Sequence, residues 1–143
     1  MQNNNNNKLL FVVNPISGDI DKKRFSIKVK KFSEELDFSF HLYETTGKND
    51  AENIKNEIKS YKPNIVVAVG GDGTCNMVAT ILKNTRLSMG ILPRGSANGM
   101  ANELNLPDNL EESLKVFLEN NVRTIDMLKI NDEYFSMHLG DIG

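Results

Sequence analysis

The sequence predicts a three-layer α/β fold, a mostly parallel sheet with flanking helices. Short apolar runs alternate with stretches of helical period along nearly the whole chain. Two of these runs, 9–13 and 65–69, are apolar without a break, the pattern of strands covered on both faces. Strand–helix–strand units recur, and strands joined through helices need crossover connections, which make them parallel neighbours.

Residues 1–7, Met-Gln and five asparagines, have neither an apolar nor a basic stretch and read as a disordered leader, not a signal peptide. Residues 8–13 form the first strand. A helix over about 20–36 follows, because Phe25, Val29, Phe32 and Leu36 recur on one face. In 38–44, Phe38, Phe40 and Leu42 alternate with Ser39, His41 and Tyr43, as in a half-buried strand. A second helix covers about 50–61 with Ala51, Ile54, Ile58 and Tyr61 as its stripe, and Pro63 stops it. After the strand at 65–69, a glycine turn opens a helix to about residue 84, with Met77, Val78, Ile81 and Leu82 expected inward. Residues 89–92 make the fourth strand.

A Gly/Ser/Asn loop and a short helix ending near Pro107 then lead to a further helix. Asp108 and Glu111 form its capping box, and Leu110, Leu114, Phe117 and Leu118 form its stripe. Residues 122–143 read as two strands turning at Asn131-Asp132. The expected organisation is a leader at 1–7, an α/β lobe at 8–130 and, at 131–143, the start of a connection to a second domain.

The composition excludes several classes. Of 143 residues, 39% are apolar and 25% charged, enough for one domain with a real core. A formal net charge of -2 offers no general attraction to a polyanion, so nucleic acid is not an expected partner. Cys75 is the sole cysteine, which rules out an internal disulfide and a Cys-based zinc site and fits a reducing, cytoplasmic compartment. No apolar run approaches the roughly 20 residues of a transmembrane helix.

Three glycine-bearing loops follow three strands: Asn14-Pro15-Ile16-Ser17-Gly18, Gly70-Gly71-Asp72-Gly73-Thr74, and Pro93-Arg94-Gly95-Ser96-Ala97-Asn98-Gly99. A parallel sheet brings all three to its carboxyl edge, where such folds bind ligands. Loops that open helices offer unbonded N–H groups and a positive dipole end, and glycine lets a phosphate approach the backbone. One such loop is weak evidence, whereas three converging loops rich in Ser, Thr and Asn point to a phosphorylated ligand. Asp72 adds a carboxylate among phosphate-binding amides. It repels the ligand unless a cation such as Mg²⁺ lies between them, and it reads equally as a helix cap.

In their order and spacing these motifs resemble the N-terminal lobe of the diacylglycerol kinase catalytic domain, shared by bacterial diacylglycerol and other lipid kinases, sphingosine kinases and ceramide kinases. The resemblance runs from about residue 8 to the end. It rests on Asn14-Pro15-x-Ser17-Gly18, on Thr46 with Gly47 and Ala51, on Gly70-Gly71-Asp72-Gly73-Thr74-x-Asn76, and on Gly90-Ile91-Leu92-Pro93-x-Gly95-Ser96-x-Asn98. Gly-Gly-Asp-Gly alone is shared with NAD kinases and phosphofructokinases.

The resemblance implies a Rossmann-like lobe of the NAD kinase and diacylglycerol kinase type. ATP with Mg²⁺ would lie between it and a β-rich second domain, which in this family supplies the general base and the ligands of a structural Mg²⁺. Asn14, Pro15, Ser17 and Gly18, together with Gly70, Gly71, Asp72, Gly73, Thr74, Cys75 and Asn76, are the implied phosphate-loop residues. Thr46 and Ser96 are implied nucleotide contacts, and Asp72 is the expected catalytic and metal-binding residue.

The implied function is transfer of the ATP γ-phosphate to a hydroxyl of a lipid such as diacylglycerol or a sphingoid base. The implied setting is cytoplasmic, peripheral at the inner membrane face, with a homodimer as the candidate assembly. Many diacylglycerol kinases carry Asp after the third-loop Asn, where this chain has Gly99, a form closer to sphingoid-base and ceramide kinases. The rival readings are an NAD kinase-like enzyme and a non-catalytic nucleotide-binding module.

Other features have plainer explanations. Lys22, Lys23, Arg24, Lys28, Lys30 and Lys31 crowd the first helix, but Lys30 and Lys31 precede Glu34 and Glu35 at helical spacing, as on a solvated, salt-bridged face. His41 and His138 lack nearby partners and read as ordinary strand residues. Arg94 reads equally as a phosphate contact and as a solvated side chain. Cys75, early in its helix, reads equally as an activated thiolate and as a small buried residue.

Overall fold

The computed structural model describes residues 7–15, 22–93, 109–119, 127–130 and 133–136. Four strands build the main sheet: β1 (Lys8–Val13), β2 (Ser39–Glu44), β3 (Ile65–Gly70) and β4 (Ser88–Pro93). Four helices accompany them: α1 (Lys22–Leu36), α2 (Asp50–Tyr61), α3 (Asp72–Leu82) and α4 (Asn109–Leu118). A two-stranded antiparallel sheet, β5 (Met127–Ile130) with β6 (Glu133–Ser136), is separate and straddles the boundary expected at 130.

All pairings in the main sheet are parallel, in the order β2-β1-β3-β4. Every side chain of β3 is buried, as are Leu9 to Val13 of β1, so the two unbroken apolar runs form the centre of the sheet. Their alternation divides the core. On one face Leu9, Phe11, Val13, Val67 and Val69 meet Phe25, Val29 and Phe32 of α1 and Leu110, Leu114 and Phe117 of α4. On the other, Leu10, Val12, Val66 and Ala68 meet Ile54 of α2 and Cys75, Val78, Ala79 and Leu82 of α3. Each large apolar side chain so buried contributes roughly 1.5–3 kcal/mol. These two faces make the three expected layers. Phe38, Phe40 and Leu42 all turn to the α1 side, as their alternation predicts.

The second helix has the expected bounds. Its chain reverses at Lys62, whose left-handed backbone (φ 56) lets its N–H bond to the Ile58 carbonyl just before Pro63. Close packing also depends on Gly90. A Cβ there would stand 2.6 Å from the Phe117 ring, so α4 lies against β4 only because that side chain is missing.

The inward face of α3 differs from expectation. Thr74, Cys75, Val78, Ala79 and Leu82 are buried, whereas Met77 and Ile81 are half-buried. The stripe therefore starts in the first turn, at 75, 78, 79 and 82, and the larger Met and Ile side chains lie along its border. On α1, Lys30 reaches Glu34 at 3.6 Å, but Lys31 stands over the Phe32 ring at 5.9 Å, so one of the two expected ion pairs is present. His41 is an exposed strand residue that stacks on Tyr61 at 4.1 Å, but it does have an acidic neighbour, Glu57, at 3.5 Å, contrary to the sequence reading. The short helix ending near Pro107, the cap residue Asp108, and the turn at Asn131-Asp132, like Arg94 and His138, lie outside the described residues.

Candidate functional site at the carboxyl edge of the sheet

The strand order fixes where a ligand can sit. From β1 the chain leaves toward α1 on one face, and from the adjacent β3 it leaves toward α3 on the other. The two connections diverge at the carboxyl ends of β1 and β3, the switch point at which sheets of this kind form a ligand crevice. Asn14 and Gly70 are the first residues past the β1–β3 ladder, which ends at Val13 and Val69. Asn14 N–H still bonds to the Val69 carbonyl (3.3 Å), which ties the two loop starts together.

Gly70 cannot be replaced without strain. Its φ is +154°, and a Cβ would lie 3.0 Å from Thr74 Oγ1 and 3.7 Å from Asn14 Cβ. This turn lets α3 begin almost at once. Gly71 is the N-cap residue and, having no side chain, makes no cap bond; the first helical backbone bond runs from Cys75 N–H to the Gly71 carbonyl (3.1 Å). The amides of Asp72, Gly73 and Thr74 therefore have no intrahelical partner. Among the described residues, a Cβ on Gly71 or Gly73 would meet nothing within 4 Å. Three N–H groups without an intrahelical partner at a positive dipole end are the chemistry that suits an anion.

Asp72 occupies the first turn of α3, exposed, and not the cap position. Among the described residues no three His, Cys, Asp or Glu side chains gather into a metal cage. One exposed carboxylate beside these amides suits a Mg²⁺ shared with ligand phosphates and water, a mode this ion commonly takes.

Cys75 is turned away from the crevice. Its side chain packs into the core with Val78 and Ala79, and its amide already serves the helix. Burial, with the Asp72 charge adding to it, pushes the thiol up to about 11. The activated-thiolate reading is thereby corrected, because desolvation outweighs the helix dipole.

The loop after β2 forms the other flank. Thr45 N–H bonds to the Val13 carbonyl (2.9 Å), extending the β1–β2 ladder by one residue, and Thr45 is buried beside the start of the Asn14 loop. Thr46 is exposed. Its hydroxyl lies 3.0 Å from the Lys48 carbonyl and 3.2 Å from Asp50 Oδ1, and it accepts from Lys48 N–H at 3.2 Å. With one proton to give, it is committed within its own loop.

Asp50 organises that loop. Its Oδ1 accepts from Tyr43 OH (2.7 Å) and Thr46 N–H (2.9 Å), and its Oδ2 accepts from Gly47 N–H (2.7 Å). Burial opposes the carboxylate charge, but these donors outweigh it and hold the Asp50 pKa below its ordinary value. Burial and the facing Asp50 raise that of Tyr43, whose oxygen also accepts from Asn53 at 3.3 Å. Sequence reasoning missed Asp50; the signal was an acidic residue opening a helix four places after a threonine.

Comparison with known proteins agrees with this architecture. The model of the diacylglycerol kinase catalytic domain matches residues 8–130. The chain belongs to the diacylglycerol kinase catalytic domain family. A Salmonella arizonae protein named "Probable lipid kinase YegS" is 31% identical over 140 residues, which cover 94% of this chain and 46% of that protein. The Salmonella newport protein of the same name matches at the same identity and coverage. A crystal structure of a diacylglycerol kinase from Bacillus anthracis superposes with a TM-score of 0.60 at 29% identity, covering 90% of this chain and 45% of the other. The chain thus spans about half the length of the curated relatives it matches.

Of the residues that the diacylglycerol kinase motifs single out, the fold brings Asn14, Pro15, Gly70, Gly71, Asp72, Gly73 and Thr74 to one edge. Asn76 follows, half-buried, in the next turn of α3. Ser17, Gly18 and Ser96 lie outside the described residues. Among the described residues no helix is long and apolar enough to cross a membrane.

Proposed function

We propose that the protein is an ATP-dependent lipid kinase and that this chain is its nucleotide-binding lobe. The observation that carries the reading is the convergence, at the β1/β3 switch point, of Asn14 with the unbonded amides of Asp72, Gly73 and Thr74. In this reading those amides hold ATP phosphate oxygens and Asn14 closes the crevice from β1. Thr45 and Thr46 border it on the β2 side, with Ser17, Gly18 and Ser96 as further contacts.

Asp72 would hold Mg²⁺ against the phosphates, and the ion when bound neutralises charge on the transferred group. The lipid hydroxyl oxygen forms a bond to the γ-phosphorus as the bond to the β–γ bridging oxygen breaks and ADP leaves. The lobe's part is positioning and charge stabilisation. A second, β-rich domain supplies the base that takes the hydroxyl proton, in a cytoplasmic protein peripheral to the inner membrane face.

The test is transfer of labelled γ-phosphate from ATP by the natural full-length polypeptide to a panel of diacylglycerol, sphingoid bases and ceramide. Labelled lipid is the expected product, and its identity names the acceptor. Phosphorylation of NAD⁺ in place of lipid would favour the NAD kinase reading. ATP binding with no transfer to any acceptor would favour a non-catalytic module.

A further inference from the structure

The loop between β2 and α2 is held by one carboxylate. Asp50 is buried at the first position of α2, and its two oxygens take four hydrogen-bond contacts from three residues of the preceding segment. Both of its amide partners, Thr46 and Gly47, belong to the loop itself, and Tyr43 anchors the carboxylate to the end of β2. Asn53, one turn along α2, holds the Tyr43 oxygen from behind. A helix cap needs a side chain ahead of the helix that accepts from its first amides. Asp50 does the reverse: it lies inside the helix and accepts from the residues before it. Its bonds therefore define the loop and leave the helix amides alone.

We propose that Asp50 is a positioning residue for nucleotide binding: by fixing Thr46 and Gly47 it sets the flank of the crevice beside Asn14 without touching the nucleotide. This rests on the nucleotide-binding reading above. The geometry explains why a carboxylate stands here. Tyr43 OH, Thr46 N–H and Gly47 N–H all donate, so the residue between them must accept on both oxygens. An amide accepts on one atom only and turns a donor toward one of those groups. The negative charge is screened from incoming phosphates because the donors surround it.

The test is titration of Mg-ATP into the full-length protein, wild type and two variants, with steady-state kinetics on the best lipid acceptor. Asp50→Asn keeps size and shape but leaves one loop amide facing a donor. Tyr43→Phe removes a single bond and keeps the ring. The expected result is at least tenfold weaker Mg-ATP binding and a matching rise in KM for Asp50→Asn, with kcat within about threefold. Two- to fivefold weaker binding is expected for Tyr43→Phe. Amide exchange at Thr46 and Gly47 should quicken in both.

A purely structural role would lower thermal stability and leave the KM of the folded fraction unchanged, and that outcome overturns the inference. Should Asp50→Asn fail to fold, Tyr43→Phe decides: unchanged Mg-ATP affinity with faster loop exchange overturns the inference, and weaker binding supports it. Wild-type protein that takes up no Mg-ATP overturns the nucleotide reading, and this inference with it.

Discussion

The loops after β2 and β3 leave the same edge of one sheet and both run into helices, yet they treat their amides in opposite ways. After β2, the Thr46 and Gly47 amides are bonded to Asp50, and the Thr46 hydroxyl is bonded within the loop. After β3, the chain turns on Gly70, no side chain caps α3, and no described residue lies within 4 Å of a Cβ placed on Gly71 or Gly73. A buried carboxylate closes the first loop on itself. The second has no side chain at Gly71 to accept from its amides. Similar position in a fold therefore does not imply similar use of the backbone: the first loop bonds its amides internally, and the second leaves three without an intrahelical partner.

The largest test of this contrast is Asp72→Asn in the full-length enzyme. Asp72 is not the cap of α3, so folding stability should change by less than about 0.5 kcal/mol. If Asp72 places Mg²⁺, kcat should fall at least about a hundredfold, roughly 2.7 kcal/mol of transition-state stabilisation. Kinetics over a Mg²⁺ series measure it, and near-normal kcat with unaltered Mg²⁺ dependence would leave Asp72 as a mere complement to the helix dipole.

Cys75 should report on the floor of the open loop. With its thiol at about 11, alkylation at pH 8 should run at least about a hundredfold more slowly than for free cysteine. Saturating Mg-ATP should alter that rate little. Fast alkylation would mean that the first turn of α3 opens, and the contrast between a rigid floor and open amides would be lost.

Gly70→Ala should destabilise by about 1–3 kcal/mol, because both its backbone angle and its contact with Thr74 reject a side chain. Gly71→Ala and Gly73→Ala should fold nearly as wild type while weakening Mg-ATP, since their Cβ atoms enter the space a phosphate would use. Chemical denaturation beside calorimetry separates the two effects. Equal destabilisation at all three positions would show that the glycines serve the turn alone.

The smallest effect concerns acid stability. Asp50 has its pKa lowered by folding, so its contribution is full above the unfolded-state value near pH 4 and fades as pH falls toward the lower folded value. Urea midpoints measured from pH 5 to pH 2 should fall less steeply in Asp50→Asn than in wild type. Parallel slopes would mean that the closed loop does not depend on the charge.

Much of this fold was legible in the sequence because it rests on period and punctuation. The unbroken runs of β1 and β3, the Phe38–Phe40–Leu42 alternation, and Pro63 after the α2 stripe each have one physical reading. The glycine turn after β3 was legible as the start of a helix, whereas most of the loops after β1 and β4 lies outside the described residues. Less legible was the inward face of α3, where Met77 and Ile81 are more apolar than Cys75 and Ala79 but occupy the border of the helix. Hydrophobicity ranks residues, whereas the direction of the helix is set by the Gly70 turn. Asp50 was missed for a related reason. An acidic residue opening a helix looks like a complement to the dipole, and only the folded loop shows that its oxygens point backward.

The register of the central pair has a consequence for how the chain reaches its native state. β1 is made first and lies in the middle of the sheet, pairing Lys8 with Ser39 on one side and Leu9 with Ile65 on the other. The switch-point crevice does not exist until β3 has docked, after two crossovers, because Asn14 and Gly70 meet only across that pair. Such non-local pairing forms slowly and late. A nascent or partly folded chain thus has no crevice to offer. On the proposed nucleotide reading, occupancy would report that β1 and β3 have paired, and a bound ligand would resist unfolding first at the β1–β3 seam.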